Sequence, residues 1–254
     1  MPVSSIADIA SADGCHTATP LISIVTPVRN GAAFLQALIT SVQGQDYPYY
    51  EHIIINDCSD DDGATETILR RHPHVRWWSR AHRGQAATVN EGIAAARGDL
   101  VCVINADDAF VSPGTFRRVA RYWTEHADIR CVYGHTLHMD ETGAALPDHQ
   151  PLGALRRAPR RLRYYCSLAH SALFVERRLL MEHGLLFDTR YRYCADWDWM
   201  IRVAQVATFS CLPYPLSWFR VHPGQLSQRT PARDIEQEHN DIQEAHGVNS
   251  VRSE

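Results

Sequence analysis

The chain has 254 residues, of which 45% are hydrophobic and 21% are charged, and this length suffices for one substantial α/β core. Its formal net charge of -4 excludes the strongly basic footprint of a nucleic-acid-binding protein, so no nucleic-acid partner is expected. The seven cysteines are scattered and include no C-x-x-C pair, which argues against a structural metal site and predicts reduced thiols.

No signal for export or membrane insertion is present. No apolar run approaches the roughly 18 residues that a membrane span requires, and residues 1–20 lack a basic segment followed by an apolar one. We therefore expect a cytoplasmic protein. Residues 1–20 are predicted to be a flexible leader, residues 21–227 one domain, and residues 228–254 a helical tail.

Strands and helices alternate along the first half of the chain. Short apolar runs predict strands, and apolar residues at intervals of three and four predict helices. This alternation indicates a mainly parallel sheet. The predicted strands are 21–26, 52–56, 75–79, 100–106 and 129–134. The predicted helices are 34–42, 63–71, 85–97 and one that begins at 112–113.

The alternation of predicted strands and helices becomes less regular after about residue 139. A hairpin turn is expected at 140–143. The further predictions are strands at 168–175, near 209 and at 217–221, and helices at 196–206 and 231–246. Ile235 and Ile242 on the last helix would pack on the domain or on a partner, so the oligomeric state stays open.

Polar residues directly follow three of the predicted strands, at 27–30, 56–61 and 105–108. Ligands of open α/β sheets bind beyond the carboxyl ends of the strands, so these segments are expected along one edge. Adjacent carboxylates suit Mg²⁺ or Mn²⁺, which makes Asp107 a predicted metal ligand. The alternative for Asp107, and for Asp57, is a turn residue.

The order of these segments resembles that of the family 2 glycosyltransferases with the GT-A fold, and the resemblance covers about 21–227. That family ends its first strand in a Pro-x-x-Asn-like loop, its second in an acidic Ser/Asp-rich turn, and its fourth in a DxD motif. The resemblance implies a Rossmann-like, mainly parallel central sheet flanked by helices. Residues 21–138 would form the nucleotide-sugar-binding half, and residues 139–227 a less regular acceptor half.

A nucleotide-diphosphate sugar donor and a divalent metal, Mg or Mn, are implied by the same resemblance. The implied donor-binding residues are Pro27, Arg29, Asn30, Asp57, Arg83, Gln85, Asn90, Asn105, Ala106 and Asp107. The implied metal ligands are Asp107, Asp108 and His222. Asn105 replaces the first acid of the motif with a neutral oxygen donor, in an Asn-x-Asp-Asp variant that would lower metal affinity. A packing role for Asn90 and a surface position for His222 are the alternatives.

The segment 194–199 resembles the acidic motif in which the family places its catalytic base, and Asp196 matches that base. Asp198 cannot share a helix face with Asp196, and stabilisation of the helix N-terminus is the alternative for both. The acceptor-side residues implied are His170, Trp197, Asp198 and Arg220. Burial in the core is the alternative for Trp197, and a packed strand position is the alternative for His170.

The implied reaction is inverting transfer of a sugar to the hydroxyl of a glycan or lipid-linked acceptor, in polysaccharide or surface-glycan biosynthesis. A nucleotidyltransferase is one alternative, although the Gly-rich phosphate loop it needs after strand one is missing. An inactive nucleotide-sugar-binding module is another, since Asn105 departs from the motif. Five arginines within 156–163 are compatible with peripheral contact at the inner face of a membrane; a solvated loop is the alternative.

Overall fold

The computed structural model describes residues 19–147 and 161–248. Eight strands form one sheet in the order β3-β2-β1-β4-β7-β6-β8-β5. The strands are β1 Ile22–Val28, β2 Tyr50–Asn56, β3 Arg76–Ser79, β4 Leu100–Val103, β5 Ala109–Phe110, β6 Cys131–Met139, β7 Leu173–Glu176 and β8 Phe209–Arg220. The helices are α1 Leu35–Gln43, α2 Ala64–Arg70, α3 Gln85–Ala95, α4 Thr115–Glu125, α5 Arg177–Glu182, α6 Ala195–Val206, α7 Leu226–Arg229 and α8 Ala232–Ala245.

The first four strands form the parallel part of the sheet. β1 lies between β2 and β4 and pairs in parallel with both, and β3 adds in parallel to β2. Every residue of β1 is buried, because helices cover both faces of a parallel sheet. The alternating pattern therefore predicted this half correctly, and the carboxyl ends of β1, β2 and β4 open onto one edge.

Side chains of alternate residues divide the core between the two faces of the sheet. Val25 and Ile53 pack with α3 and α6 on one face, whereas Ile24 packs with α1 and α4 on the other. This division follows from the two-residue period of a strand. Helices thus cover both faces of the sheet. A ligand-binding site would therefore lie at the polar ends of the strands.

The second half of the sheet is mixed. β7 is antiparallel to β4 and β6, while β8 runs parallel to β6 and antiparallel to β5. Two predictions were wrong in detail here. The strand expected at 168–175 begins with a 3-10 helix, His170–Ala172, and the two short strands expected near 209 and 217 are the single strand β8. The turn at 140–143 is present.

The last helix, α8, packs on the domain. Ile242 is fully buried in the core cluster that includes α6, and Ile235 packs against the same cluster. The predicted boundary at residue 227 stays a prediction.

Several predicted segments lie outside the described residues. These are most of the leader 1–20 and the arginines Arg156, Arg157 and Arg160. Within residues 19–147 and 161–248, no helix combines the length and apolar character needed to cross a membrane.

Candidate active site

Asp57 follows β2 and shapes the loop that leads into α3. Its carboxylate is 4% exposed and accepts backbone N–H groups from Arg83 and Gly84, both at 2.9 Å. The ring nitrogen Nδ1 of His82 lies 2.8 Å from the same group, and Arg80 forms an ion pair at 3.4 Å. Asp57 thus fixes the loop that precedes α3, and its predicted role in donor binding stays a prediction.

The loop after β1 is tied to the loop after β2. Asn30 adopts a left-handed backbone with φ 55°, which an Asn tolerates better than most residues. Its side-chain oxygen accepts the N–H of Asp60 at 2.8 Å, and Arg29 forms an exposed ion pair with Asp60 at 3.5 Å. Pro27 is buried within β1. The two loops therefore form one continuous rim at the sheet edge.

Two predicted donor residues on α3 have different surroundings. Gln85 is exposed and donates from Nε2 to the side-chain oxygen of Asn105 at 2.7 Å, which joins the start of α3 to the end of β4. Asn90 is bound twice to the backbone of Phe187, donating to its carbonyl at 2.8 Å and accepting its N–H at 2.7 Å. Both polar ends of Asn90 are occupied, which favours the packing role.

Asp107 and His222 come together across the sheet edge. The carboxylate oxygen Oδ2 of Asp107 lies 3.0 Å from Nε2 of His222, although 115 positions separate the two residues in the chain. The side chains are 28% and 11% exposed, respectively. Phe34 packs on the His222 ring at 4.6 Å and orients it. Ala106, next to Asp107, is almost fully buried.

Asp108 and Arg220 form the buried support of this pair. The backbone N–H of Arg220 donates to Asp108 at 3.1 Å, and Nε of Arg220 donates to the Asp107 carbonyl at 2.8 Å. Burial, followed by the charge of Asp107, raises the pKa of Asp108 well above its ordinary value. Arg220 is 5% exposed. These contacts give Arg220 and Asp108 a structural role, and the acceptor-side role of Arg220 and the metal-ligand role of Asp108 stay predictions.

A divalent ion fits Asp107 and His222 chemically. A carboxylate oxygen and an imidazole nitrogen are both ligands that Mn²⁺ accepts, and such ions usually take further ligands from water and substrate phosphates. Across the described parts of the chain, no group of three or more His, Cys, Asp or Glu side chains converges in a way that could hold an ion. The roles of Asp107 and His222 as metal ligands therefore stay a prediction.

Asp196 and His170 form the second polar pair. Asp196 lies in the first turn of α6, and its Oδ2 is 2.9 Å from Nδ1 of His170. The Asp196 side chain is 30% exposed, whereas His170 is 9% exposed. Burial opposes ionisation, but the hydrogen bond and charge of His170 and the N–H of Trp197 together hold the pKa of Asp196 below its ordinary value. Asp196 is thus an ionised, accessible carboxylate.

Two further residues predicted on the acceptor side belong to the core. Trp197 is 1% exposed and its indole N–H donates to the Leu162 carbonyl at 2.5 Å, so it cannot stack on a sugar. Asp198 is 4% exposed and binds Nε of Arg202 at 2.8 Å and Nε2 of His246 at 2.9 Å. The helical rotation between Asp196 and Asp198 explains why they face different surroundings.

Comparison with known proteins decides the family. The model of the family described as glycosyl transferase family 2 matches residues 23–184, which is more than half of the chain. The chain belongs to this family. It is also 29% identical over 189 residues to the PGL/p-HBAD biosynthesis glycosyltransferase of Mycobacterium tuberculosis, covering 73% of this chain and 70% of that protein.

Solved structures show the same fold at low sequence identity. S. aureus TarS 1-349, in complex with UDP-GlcNAc, superposes with a TM-score of 0.73 at 14% identity and covers 91% of this chain and 67% of that one. Mannosyltransferase PcManGT from Pyrobaculum calidifontis, in complex with GDP-Man and Mn²⁺, gives 0.62 at 16% identity over 96% and 68%. The GT-A fold expected from the sequence is thereby confirmed.

Family membership also decides between the enzyme classes considered from the sequence. The chain is a glycosyltransferase, and its relatives act in glycan biosynthesis. The nucleotidyltransferase alternative is set aside on this evidence.

The site includes residues that no sequence motif singled out. Phe34 contacts both His222 and the guanidinium of Arg220, and His82 contacts Asp57. These contacts join positions far apart in the chain. No local signal was available to find them.

Proposed function

We propose that this glycosyltransferase moves a sugar from a nucleoside-diphosphate sugar to an acceptor hydroxyl in one displacement that inverts the anomeric centre. The observation that carries this proposal is the Asp196–His170 pair, an ionised carboxylate that is partly open to solvent on the acceptor half. A group of this kind suits a general base, because it must be both deprotonated and reachable by the acceptor.

In this mechanism Asp196 takes the proton from the attacking hydroxyl as its oxygen reaches the anomeric carbon. His170 holds the carboxylate in one orientation through the 2.9 Å hydrogen bond. The rim formed by the loops after β1 and β2, with the loop fixed by Asp57, would bind the nucleoside. Asp107 and His222 would hold a divalent ion, whose positive charge would stabilise the departing diphosphate.

The nature of the donor is supported by the neighbours. Structures of the same fold carry UDP-GlcNAc in one case and GDP-Man with Mn²⁺ in another. A nucleoside-diphosphate sugar is therefore the class to screen first, with and without Mn²⁺. Thermal shift reports binding through the stabilisation that a ligand gives to the folded state.

The variant Asp196→Asn tests the proposal. We expect transfer to fall by about 10²- to 10⁴-fold, the usual contribution of a general base. The thermal shift caused by the donor should stay unchanged, because the nucleoside rim is intact. Glu236→Gln on the exposed side of α8 provides a control. Near-wild-type transfer by Asp196→Asn would show that the base lies elsewhere.

A further inference from the structure

The C-terminal helix α8 contacts the catalytic helix α6 on both sides of Asp196. One carboxylate of α8, Glu238, accepts three consecutive backbone N–H groups that lead into α6. These are the N–H groups of Arg192 at 2.7 Å, Tyr193 at 2.9 Å and Cys194 at 2.9 Å. The residue after Cys194 begins the helix, and Asp196 follows it.

Two more side chains connect this part of the chain to α6, one within α8 and one at the residue that follows its last turn. The ring of His239 lies 4.8 Å from the ring of Trp197, and Nε2 of His246 lies 2.9 Å from Asp198. Ile242 between them is fully buried. Residues 197 and 198 adjoin the proposed base, so α8 holds the chain before and after Asp196.

We infer that Glu238 is a positioning residue for sugar transfer, which fixes the start of α6 so that Asp196 meets His170 and the acceptor hydroxyl. This inference rests on the proposed role of Asp196. Three N–H groups converge on one carboxylate, and charge-assisted bonds of this kind are the strong ones. The N-cap residue of α6, Cys194, makes no side-chain cap bond, so the segment that enters the helix is held by Glu238 through the N–H groups of residues 192–194.

Loss of these three hydrogen bonds has a defined consequence for Asp196. The hydrogen bond and charge of His170 are what lower the pKa of Asp196 against the effect of burial, so any displacement of the carboxylate from His170 raises that pKa. Among residues 19–147 and 161–248, the thiols of Cys166 and Cys194 are further titratable groups that interact with Asp196. Burial, aided by the charge of Asp196, raises the pKa of both thiols, to about 12 for Cys194, so both stay protonated.

The test compares Glu238→Gln with Glu236→Gln in the full chain. Gln keeps the size of the side chain but turns one acceptor oxygen into an amide donor, which opposes the N–H groups that it should bind. We expect kcat of E238Q to fall by about 10- to 100-fold, the scale of a displacement near 1 Å. The donor KM should stay within about twofold, because misplacement of the base alone does not alter ground-state binding. The acid limb of the kcat–pH profile of E238Q should move to higher pH. E236Q should match the wild type in kcat, in the donor KM and in the position of the acid limb.

Three results would overturn the inference. They are wild-type kcat in E238Q, a fall in kcat with an unmoved acid limb, and an equal fall in E236Q. If E238Q does not fold, Glu238→Asp retains the charge and is assayed in its place against Glu236→Asp. A smaller fall with the same upward movement of the acid limb supports positioning, and wild-type behaviour of E238D overturns it.

Asp196→Asn is measured alongside these variants. Loss of transfer in D196N together with wild-type behaviour of E238Q overturns this inference alone. Retained transfer in D196N overturns the proposed function and this inference with it.

Discussion

Two electrostatic effects oppose each other at the carboxylate of Asp196. Burial disfavours the ionised carboxylate, while the imidazole beside it favours that form, and the second effect prevails. A base with a lowered pKa is a weaker proton acceptor but is ionised over a wider pH range. With Asp196 as the proposed base, the pair would extend the pH range of activity toward acid.

Replacement of His170 by Ala should narrow that range. Without the hydrogen bond and charge of His170, the pKa of Asp196 rises, so the acid limb of kcat moves to higher pH. The loss of activity should be larger at acidic pH than on the alkaline plateau. A kcat–pH profile measures this, with His183→Ala at an exposed position as the control. An acid limb that stays in place in H170A would contradict the pairing.

Sequence motifs singled out Asp107, His222 and Asp196, and the structure pairs Asp107 with His222 and Asp196 with His170. The motifs could not predict which side chains these residues contact. The 3.0 Å contact of Asp107 with His222 depends on β8 returning beside the end of β4, which no local pattern encodes. For Trp197 the sequence left a sugar-stacking position and burial in the core open, because the motif does not indicate which face of the helix it occupies, and the structure buries the side chain.

At the level of elements, α3 approaches β1 closely because of Gly92. A Cβ atom at this position would lie 2.3 Å from Cγ1 of Val25, which is shorter than any allowed van der Waals contact. The absence of a side chain at Gly92 therefore allows the short distance between α3 and the sheet. The loop fixed by Asp57 leads directly into this helix.

The variant Gly92→Ala should be less stable than the wild type. Ala favours a helix over Gly by up to about 1 kcal/mol, but overpacking against the strand costs about 1–3 kcal/mol. We expect a net fall in the free energy of unfolding, measured by urea denaturation. Gly114→Ala is the control, since φ is -85° and the nearest atom is a flexible Arg117 nitrogen at 3.4 Å. Equal stability of G92A and G114A would refute the close-packing argument.

The elements of the first half were predicted well because buried strands and amphipathic helices have distinct periods. β8 was divided into two because Pro213 and Pro215 interrupt its apolar pattern. Prolines donate no N–H to a ladder, and the pairing with β6 shifts register where Pro215 meets His135. The strand continues past this bulge because β6 supplies a long partner, and a single-sequence pattern contains no information on that pairing.

For the molecule as a whole, a buried histidine links stability to pH. His52 in β2 is 2% exposed and lies 3.1 Å from the Thr26 hydroxyl. Burial, followed by the charges of His74 and His72, lowers the pKa of His52 to about 3. Between this value and the ordinary value of about 6.5, the unfolded chain binds a proton that the folded chain does not.

The free energy of unfolding should therefore fall as the pH drops through this window. Between pH 7 and pH 5 the His52 contribution is about 2 kcal/mol. Urea denaturation at the two pH values should show a smaller difference for His52→Gln than for the wild type, because Gln does not titrate. His183→Gln should retain the wild-type difference. An equal pH dependence in H52Q would assign the effect to other groups.

The double hydrogen bond between Asn90 and Phe187 bears on the design of hybrid enzymes. It joins the donor-side helix to the segment just before α6 across 97 positions of the chain, through the backbone of residue 187. These two bonds use only the backbone of residue 187, but the Phe187 side chain is itself buried and stacks on the ring of Trp199 at 4.8 Å. A segment grafted from another family member would therefore have to keep an apolar residue at this position and present its main chain to Asn90.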